Sequence, residues 1–358
     1  MPVERISQNA MDEKFMRRCI QLAKNGLGST APNPTVGAVV VHRNKIIGEG
    51  FTSPFGGAHA EVNAITSVKD KELLSRSTLY VTLEPCSHFG KTPPCADLIM
   101  ANNIPRVVIG LLDPHEKVAG RGIQKLRDAG CEVGVGVLQK ECREHHKRFL
   151  TFHEKKRPYI ILKWAETADG LIAPEQQLRE TEPHPYWITG TLSRQLVHKW
   201  RSEEQAILVG TTTVLEDNPK LDIRLWSGKS PIRIVVDKDL KIPFDHYVLD
   251  TKQRTIVFTN KTEALNKQNG VEYVQLDSTK EIAQNICHQL YTLDIQSVLI
   301  EGGAQTLQTF IDAGLWDEAR IFTGASVFKR GVKAPHIGGT SEASKKLEQD
   351  QLILLKND

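Results

Sequence analysis

No stretch of the sequence approaches the ~18 consecutive apolar residues that a membrane-crossing helix requires. The longest aliphatic runs, such as Val39–Val41, are only a few residues long. Met1–Arg18 mixes acids and bases around no apolar segment, so no export signal is expected and the cytoplasm is the expected compartment. Cysteine is sparse: Cys19, Cys86, Cys95, Cys131, Cys142 and Cys287 are the six in 358 residues. Without export a disulfide framework is not expected, and cysteines that cluster with other donors become metal or catalytic candidates. An excess of one charge is also lacking, since 46 Lys+Arg against 43 Asp+Glu leave +3. That weighs against a nucleic-acid or membrane partner held by bulk electrostatics. There is no Gly-x-Gly-x-x-Gly, no internal repeat and no low-complexity tract.

What is present is the composition of a globular α/β protein, 40% hydrophobic and 25% charged with 26 Gly and 17 Pro. At ~150 residues per domain the length suits two domains. Asp12–Lys24 carries Phe15, Met16, Cys19, Ile20 and Ala23 at helical spacing. Val36–Val41 is a buried-strand run, and strands are expected at Thr78–Leu83, Arg106–Leu111 and Glu132–Val137. Helices over Glu61–Val68, Ala96–Asn102 and Gly122–Asp128 separate them, which predicts βαβ units with helices on both sheet faces. A charge-dense stretch, Lys140–Pro158, marks the boundary between domains 1–150 and 151–358. Strands then resume at Tyr159–Trp164, Ala206–Gly210, Ile232–Val236, Thr255–Thr259, Ser297–Ile300 and Glu318–Phe322.

His59-Ala60-Glu61 followed by Pro85-Cys86 and Cys95 is the sharpest chemical signal. A catalytic zinc takes three N or S ligands and keeps one position for water; His59, Cys86 and Cys95 supply that number. Glu61, near a helix start, is the candidate proton shuttle between that water and a leaving nitrogen. Eight residues, Ser87–Pro94, separate the cysteines where nucleobase deaminases usually have two. A structural zinc with His88 as a fourth ligand is the alternative.

Pro85-Cys86-Ser87-His88-Phe89-Gly90-Lys91-Thr92-Pro93-Pro94-Cys95 resembles the signature of the riboflavin-biosynthesis deaminases, which are normally fused to a reductase. Ala31-Pro32-Asn33-Pro34-Thr35-Val36-Gly37 and Gly57–Glu61 are similar to other segments of that family, whose Asn, here Asn33, is implied to hold the pyrimidine ring. The resemblance covers the whole chain. It implies an N-terminal cytidine-deaminase-like α/β/α sandwich, a C-terminal domain like dihydrofolate reductase, zinc, NADPH, a pyrimidine ribosyl-phosphate substrate and a homo-oligomer.

In the second half, Ile300-Glu301-Gly302-Gly303-Ala304 is a strand, a Gly-Gly turn and a helix start, a geometry that lets backbone N–H groups approach a phosphate. Alone it is an ordinary tight connection. Lys163–Gly170, Trp187–Gly190 and Val209–Pro219 also resemble the reductase half. Carried over, cofactor contacts fall on Ala165, Trp187, Thr213, Asp217, Gly303, Ala304, Gln305, Thr306, Leu307, Gln308 and Thr309. Substrate contacts fall on Arg201, Leu221, Arg224 and Glu301, with the two arginine forks suited to a phosphate. Ala168, His146 and Pro185 depart from the family pattern. The expected activity is bifunctional: deamination of a diaminopyrimidinone ribosyl phosphate, then reduction of its ribosyl group. A deaminase with a weakened reductase half, a nucleic-acid base deaminase and a non-catalytic zinc scaffold are the competing readings. The near-neutral charge and 6% aromatic content weigh against the second of these.

Overall fold

The computed structural model describes residues 7–87, 89, 93–114, 120–179, 182–261 and 270–357. The chain divides into two compact units, Met1–Lys155 and Lys156–Asp358.

The first unit runs α1 (Gln8–Ala23), β1 (Gly37–His42), β2 (Lys45–Phe51), α2 (Ala60–Ser67), β3 (Thr78–Val81), α3 (Cys95–Ala101), β4 (Arg106–Ile109), α4 (Arg121–Asp128), β5 (Glu132–Val135), α5 (Gln139–His145) and α6 (Lys147–Lys155). Its sheet has the order β2-β1-β3-β4-β5. β3, β4 and β5 are parallel, whereas β1 is antiparallel to both β2 and β3. The sheet is therefore not built from βαβ units throughout. Arg43 and Asn44, both with positive φ (47° and 61°), make the two-residue turn that folds β2 back onto β1.

Helices cover both sheet faces, and glycines set how closely they approach. A Cβ on Gly37 would lie 2.0 Å from the carbonyl oxygen of Cys19 in α1. Gly48 and Gly50 lie beside Val40 and Ala38 in the ladder, and a Cβ on either would lie 2.4 Å from the Ala64 backbone of α2. Because side chains alternate along a strand, α1 and α2 sit on opposite faces. Val39, Val40, Leu79, Val81, Val107 and Val108 fill the interior with Phe15, Met16 and Ile65 from the helices.

The second unit runs β6 (Tyr159–Glu166), β7 (Leu171–Pro174), α7 (Thr191–Glu203), β8 (Ala206–Gly210), α8 (Thr211–Asp217), β9 (Ile232–Val236), β10 (Thr255–Thr259), β11 (Val271–Gln275), α9 (Ile282–Thr292), β12 (Ser297–Ile300), α10 (Ala304–Asp312), β13 (Glu318–Thr323), β14 (Gly331–Lys333), β15 (Thr340–Leu347) and β16 (Asp350–Lys356). Its main sheet has the order β11-β10-β9-β8-β12-β6-β13-β16-β15, parallel up to β13 and antiparallel across the last two pairings. Alternate residues feed separate cores: Ile160, Leu162, Ala206 and Leu208 on one face, Ile161, Ile207 and Val209 on the other. The order turns around between β8 and β12, the position at which open α/β sheets bind ligands beyond the strand C-termini.

Candidate active sites

In the first unit three chain segments converge. His59 caps the N-terminus of α2, Cys86 follows the end of β3 by five residues, and Cys95 opens α3. His59 Nδ1 lies 3.6 Å from Cys86 Sγ and 3.4 Å from Cys95 Sγ, and all three donor atoms fall within 4.8 Å of one another. Ligands at about 2.0 Å (N) and 2.3 Å (S) around a tetrahedral zinc stand about 3.6 Å apart, so the donor set fits that ion. The Cys95 backbone N–H donates to Cys86 Sγ at 3.3 Å. Hydrogen bonding from the Cys95 thiol first, then from His59, draws the Cys86 thiol down, so Cys86 is the sulfur of the pair that gives up its proton first. Of the proposed fourth ligand, His88, nothing follows, because it lies outside the described residues.

Glu61 sits in the first turn of α2, with 4% of its surface exposed, beside these donors. Burial, and then the negative charge at Cys86, push its carboxyl up to about 7. Asn33 lies in the turn ahead of β1, its carbonyl accepting from Thr30 Oγ1 at 3.0 Å. Antiparallel pairing of Ala38 with Val81 brings the start of β1 beside the end of β3. Asn33 and Cys86 therefore leave the sheet at the same end.

Glu84 is a residue that sequence reading passed over. It is buried, and its carboxylate accepts backbone N–H groups from Asp113, Gly120, Gly122 and Ile123 at 3.0–3.4 Å. It thereby ties the segment carrying Cys86 to the start of α4. The only sequence signal was an acid directly before Pro85-Cys86. His146 is buried with Nε2 3.1 Å from Thr82 Oγ1, and burial holds its ring neutral.

The second unit carries a cleft of about 720 Å³ at the C-terminal ends of β6, β8 and β12. Ala165, Trp187, Thr213, Asp217, Gly303, Ala304, Leu307, Arg201, Leu221, Arg224 and Glu301 all line it, as does Pro185. Gln305, Thr306, Gln308 and Thr309 are not among the lining residues. Gln308 donates to Asp312, Thr309 Oγ1 bonds back to the Gln305 carbonyl, and Thr306 packs against Gly210. Ala168 sits in an exposed turn, its N–H on the Ser326 carbonyl.

The Gly-Gly turn is dictated by Thr213, whose Oγ1 accepts from Gly303 N at 2.8 Å and would lie 2.8 Å from a Cβ on Gly302. α10 has no acidic residue in its first turn, leaving its N-terminal field open to an anion. A half-exposed indole at Trp187 stands at the same cleft. These features, and the volume, suit a dinucleotide.

A buried ion-pair cluster shapes the middle of the cleft. Arg201 Nε and Nη2 each donate to Glu301 at 2.7 Å, and Lys163 Nζ stands 3.6 Å from the same carboxylate. Burial alone would raise Glu301, but the charges of Arg201 and Lys163 and the Arg201 hydrogen bonds outweigh it and bring the carboxyl down to about 2. Neither the Glu301 pairing nor Lys163 was foreseen for Arg201, which the sequence offered as a phosphate fork. Asp217, largely buried on the cleft wall, is pushed up to about 6.

Residues 9–111 match the cytidine and deoxycytidylate deaminase zinc-binding region, and residues 158–351 match the RibD C-terminal domain. The riboflavin biosynthesis protein RibD of Aquifex aeolicus is 40% identical over 355 residues, 97% of each chain. That of Escherichia coli is 34% identical over 333 residues, 87% of each. Among solved structures, the diaminohydroxyphosphoribosylaminopyrimidine deaminase/5-amino-6-(5-phosphoribosylamino)uracil reductase of Thermotoga maritima is 39% identical with a TM-score of 0.89, covering 98% of this chain and all of its own. A RibD of Acinetobacter baumannii is 30% identical with a TM-score of 0.87 and the same coverage. With both catalytic halves matched and full-length relatives at this identity, the chain belongs to the RibD family, the bifunctional deaminase/reductases of riboflavin biosynthesis.

Proposed function

We propose that the first unit deaminates 2,5-diamino-6-ribosylamino-4(3H)-pyrimidinone 5′-phosphate. The second unit then reduces the ribosyl group to ribityl with NADPH, giving 5-amino-6-ribitylamino-uracil 5′-phosphate. The observation that carries this reading is the convergence of His59, Cys86 and Cys95 beside a buried Glu61. The T. maritima relative, named for these two activities, supports the choice of substrates.

His59, Cys86 and Cys95 would hold the zinc, which when bound would make water nucleophilic near neutral pH. Glu61 takes the proton from the attacking water at a carboxylate oxygen and returns it to the departing amino nitrogen. Its burial suits it to both roles, because a carboxylate that accepts and releases a proton works best near the ambient pH. Asn33 orients the pyrimidine ring.

In the second unit the nicotinamide, when bound, supplies hydride equivalents. The Gly302-Gly303 turn and the start of α10 would hold the cofactor phosphates, and Ala165, Trp187, Thr213 and Asp217 on the same cleft would contact the rest of it. Glu301, Leu221, Arg201 and Arg224 face the substrate. The ligand thiols must stay reduced, which suits action in the cytoplasm, and we place the enzyme there as a homo-oligomer.

The test is Glu61→Gln, with ammonia release and NADPH consumption followed separately. Ammonia release should fall by about 10²–10⁴, the usual contribution of a positioned acid–base group. Bound zinc and NADPH consumption on the deaminated intermediate should be unchanged. A variant that deaminates at the wild-type rate would falsify the assignment.

A further inference from the structure

α7 brings Arg194, Val197, His198 and Arg201 to the cleft of the second unit, the i, i+3, i+4, i+7 spacing of one helix face. The side chains on this face are not equally available to a ligand. Arg201 has its Nε–Nη2 edge on Glu301 and its Nη1 on the Asp222 carbonyl oxygen at 3.1 Å. It could turn that edge to a phosphate only by giving up both hydrogen bonds to the buried Glu301 carboxylate, leaving it to Lys163 alone. Arg224 has Nη1 on Asp222 Oδ1 at 2.5 Å, and its side chain is 47% exposed, so it keeps donors to offer.

His198 is the unexplained member. It is 4% exposed and lines the cleft; its Nδ1 is closed off from the cleft and has no hydrogen-bond partner, which leaves Nε2 as the nitrogen a ligand can reach. The charged groups that act on it are Arg201 on its own helix, Arg224 and Asp222 from the segment after α8, and Glu301 from the end of β12. With Lys163 from β6, which pairs with the same Glu301, this end of the cleft holds three cations and two carboxylates. The balance favours an anion. Burial, then the two guanidiniums, push the His198 ring down to about 4, so at neutral pH it is uncharged and carries one N–H and one acceptor nitrogen. With Nδ1 closed off, the Nε2–H is the donor this ring can present to an anion in the cleft.

We propose that His198 is a substrate-binding residue of the reductase cleft, donating a ring N–H to the 5′-phosphate of the ribosyl substrate alongside Arg224. The inference deepens the proposed function and rests on reading this cleft as the site of a ribosyl phosphate. Arg201, on this view, positions Glu301 and braces the Asp222 segment, leaving the phosphate oxygens to Arg224 and His198.

The experiment compares wild type with His198→Ala and His198→Asn in the full-length zinc-loaded enzyme. NADPH consumption is measured with the deaminated ribosylamino phosphate and with its dephosphorylated counterpart. For the phosphorylated substrate KM should rise roughly tenfold or more, the size of a hydrogen bond to a charged group, with kcat little changed. For the dephosphorylated substrate KM should not move. The deamination rate of the same chain reports that each variant is folded. Equal losses on both substrates would show a packing role and overturn the proposal, as would no change on either. Failure of the underlying reading has a separate signature, a wild-type enzyme that consumes no NADPH with either substrate. Calorimetric binding of inorganic phosphate then decides the residue: weaker binding by His198→Ala supports the contact, and identical binding overturns it.

Discussion

Replacing Glu301 by Gln removes the negative centre of a cluster that holds two buried cations, and the size of the effect can be worked from the structure. The Glu301 carboxyl falls from the ordinary 4.5 to about 2 despite burial, because Arg201 grips it with two hydrogen bonds and Lys163 adds a second positive charge. That difference corresponds to about 3 kcal/mol of preference for the charged form in the folded protein. A carboxylate whose folded value is depressed contributes stability that is fully present above the unfolded value. That contribution disappears as pH falls from about 4.5 toward about 2. At pH 7, Glu301→Gln should therefore destabilise the second unit by about 3–5 kcal/mol, the range seen when one partner of a buried pair is removed. The gap between variant and wild type should narrow as the pH is lowered below 4.5. All five tryptophans (Trp164, Trp187, Trp200, Trp226 and Trp316) lie in this unit, so urea unfolding followed by tryptophan fluorescence reads it selectively. Urea is preferred to guanidinium, whose ions screen the pair. A variant within about 0.5 kcal/mol of wild type at pH 7, or a gap that stays constant into acid, would refute the reasoning.

Three further outcomes follow from the two sites. Cys86→Ala should lose zinc and ammonia release together while NADPH consumption on the deaminated intermediate persists; metal analysis beside the two assays checks it. Gly302→Ala drives a methyl against Thr213 Oγ1, which must move and release the Gly303 N–H, so KM for NADPH should rise about tenfold, the loss of one hydrogen bond at a phosphate turn. Glu84→Gln leaves backbone donors at the start of α4 short of an acceptor and should destabilise the first unit by about 1–3 kcal/mol. Faster hydrogen exchange at Gly120, Gly122 and Ile123 should accompany that loss, and unchanged exchange would count against the tie.

Some elements were legible in the sequence because their signal is local. β8, β9, β10 and β12 are apolar runs wherever they lie in the sheet, since parallel strands are buried on both faces. β2 was passed over because Gly48 and Gly50 stand where apolar residues would mark the strand; the α2 backbone, rather than a side chain, fills that space. β15 was passed over for a different reason. β15 is an edge strand of exposed Ser, Glu and Lys with no alternation to read.

The sequence by itself determined which donor atoms are available for a metal, because a His-x-Glu at a helix start and two cysteines on either side of a loop are covalent facts with few ways to meet. It also determined that a glycine pair would stand between β12 and α10. Only the tertiary structure decided what Arg201 does. Its partner Glu301 lies 100 positions away, brought beside it when α7 packs near the end of β12. Charged side chains carry no record of their partners in local sequence, and burial makes the choice of partner matter. In water the arginine fork could have met a phosphate or a carboxylate at similar free energy; inside the cleft it is held by the carboxylate.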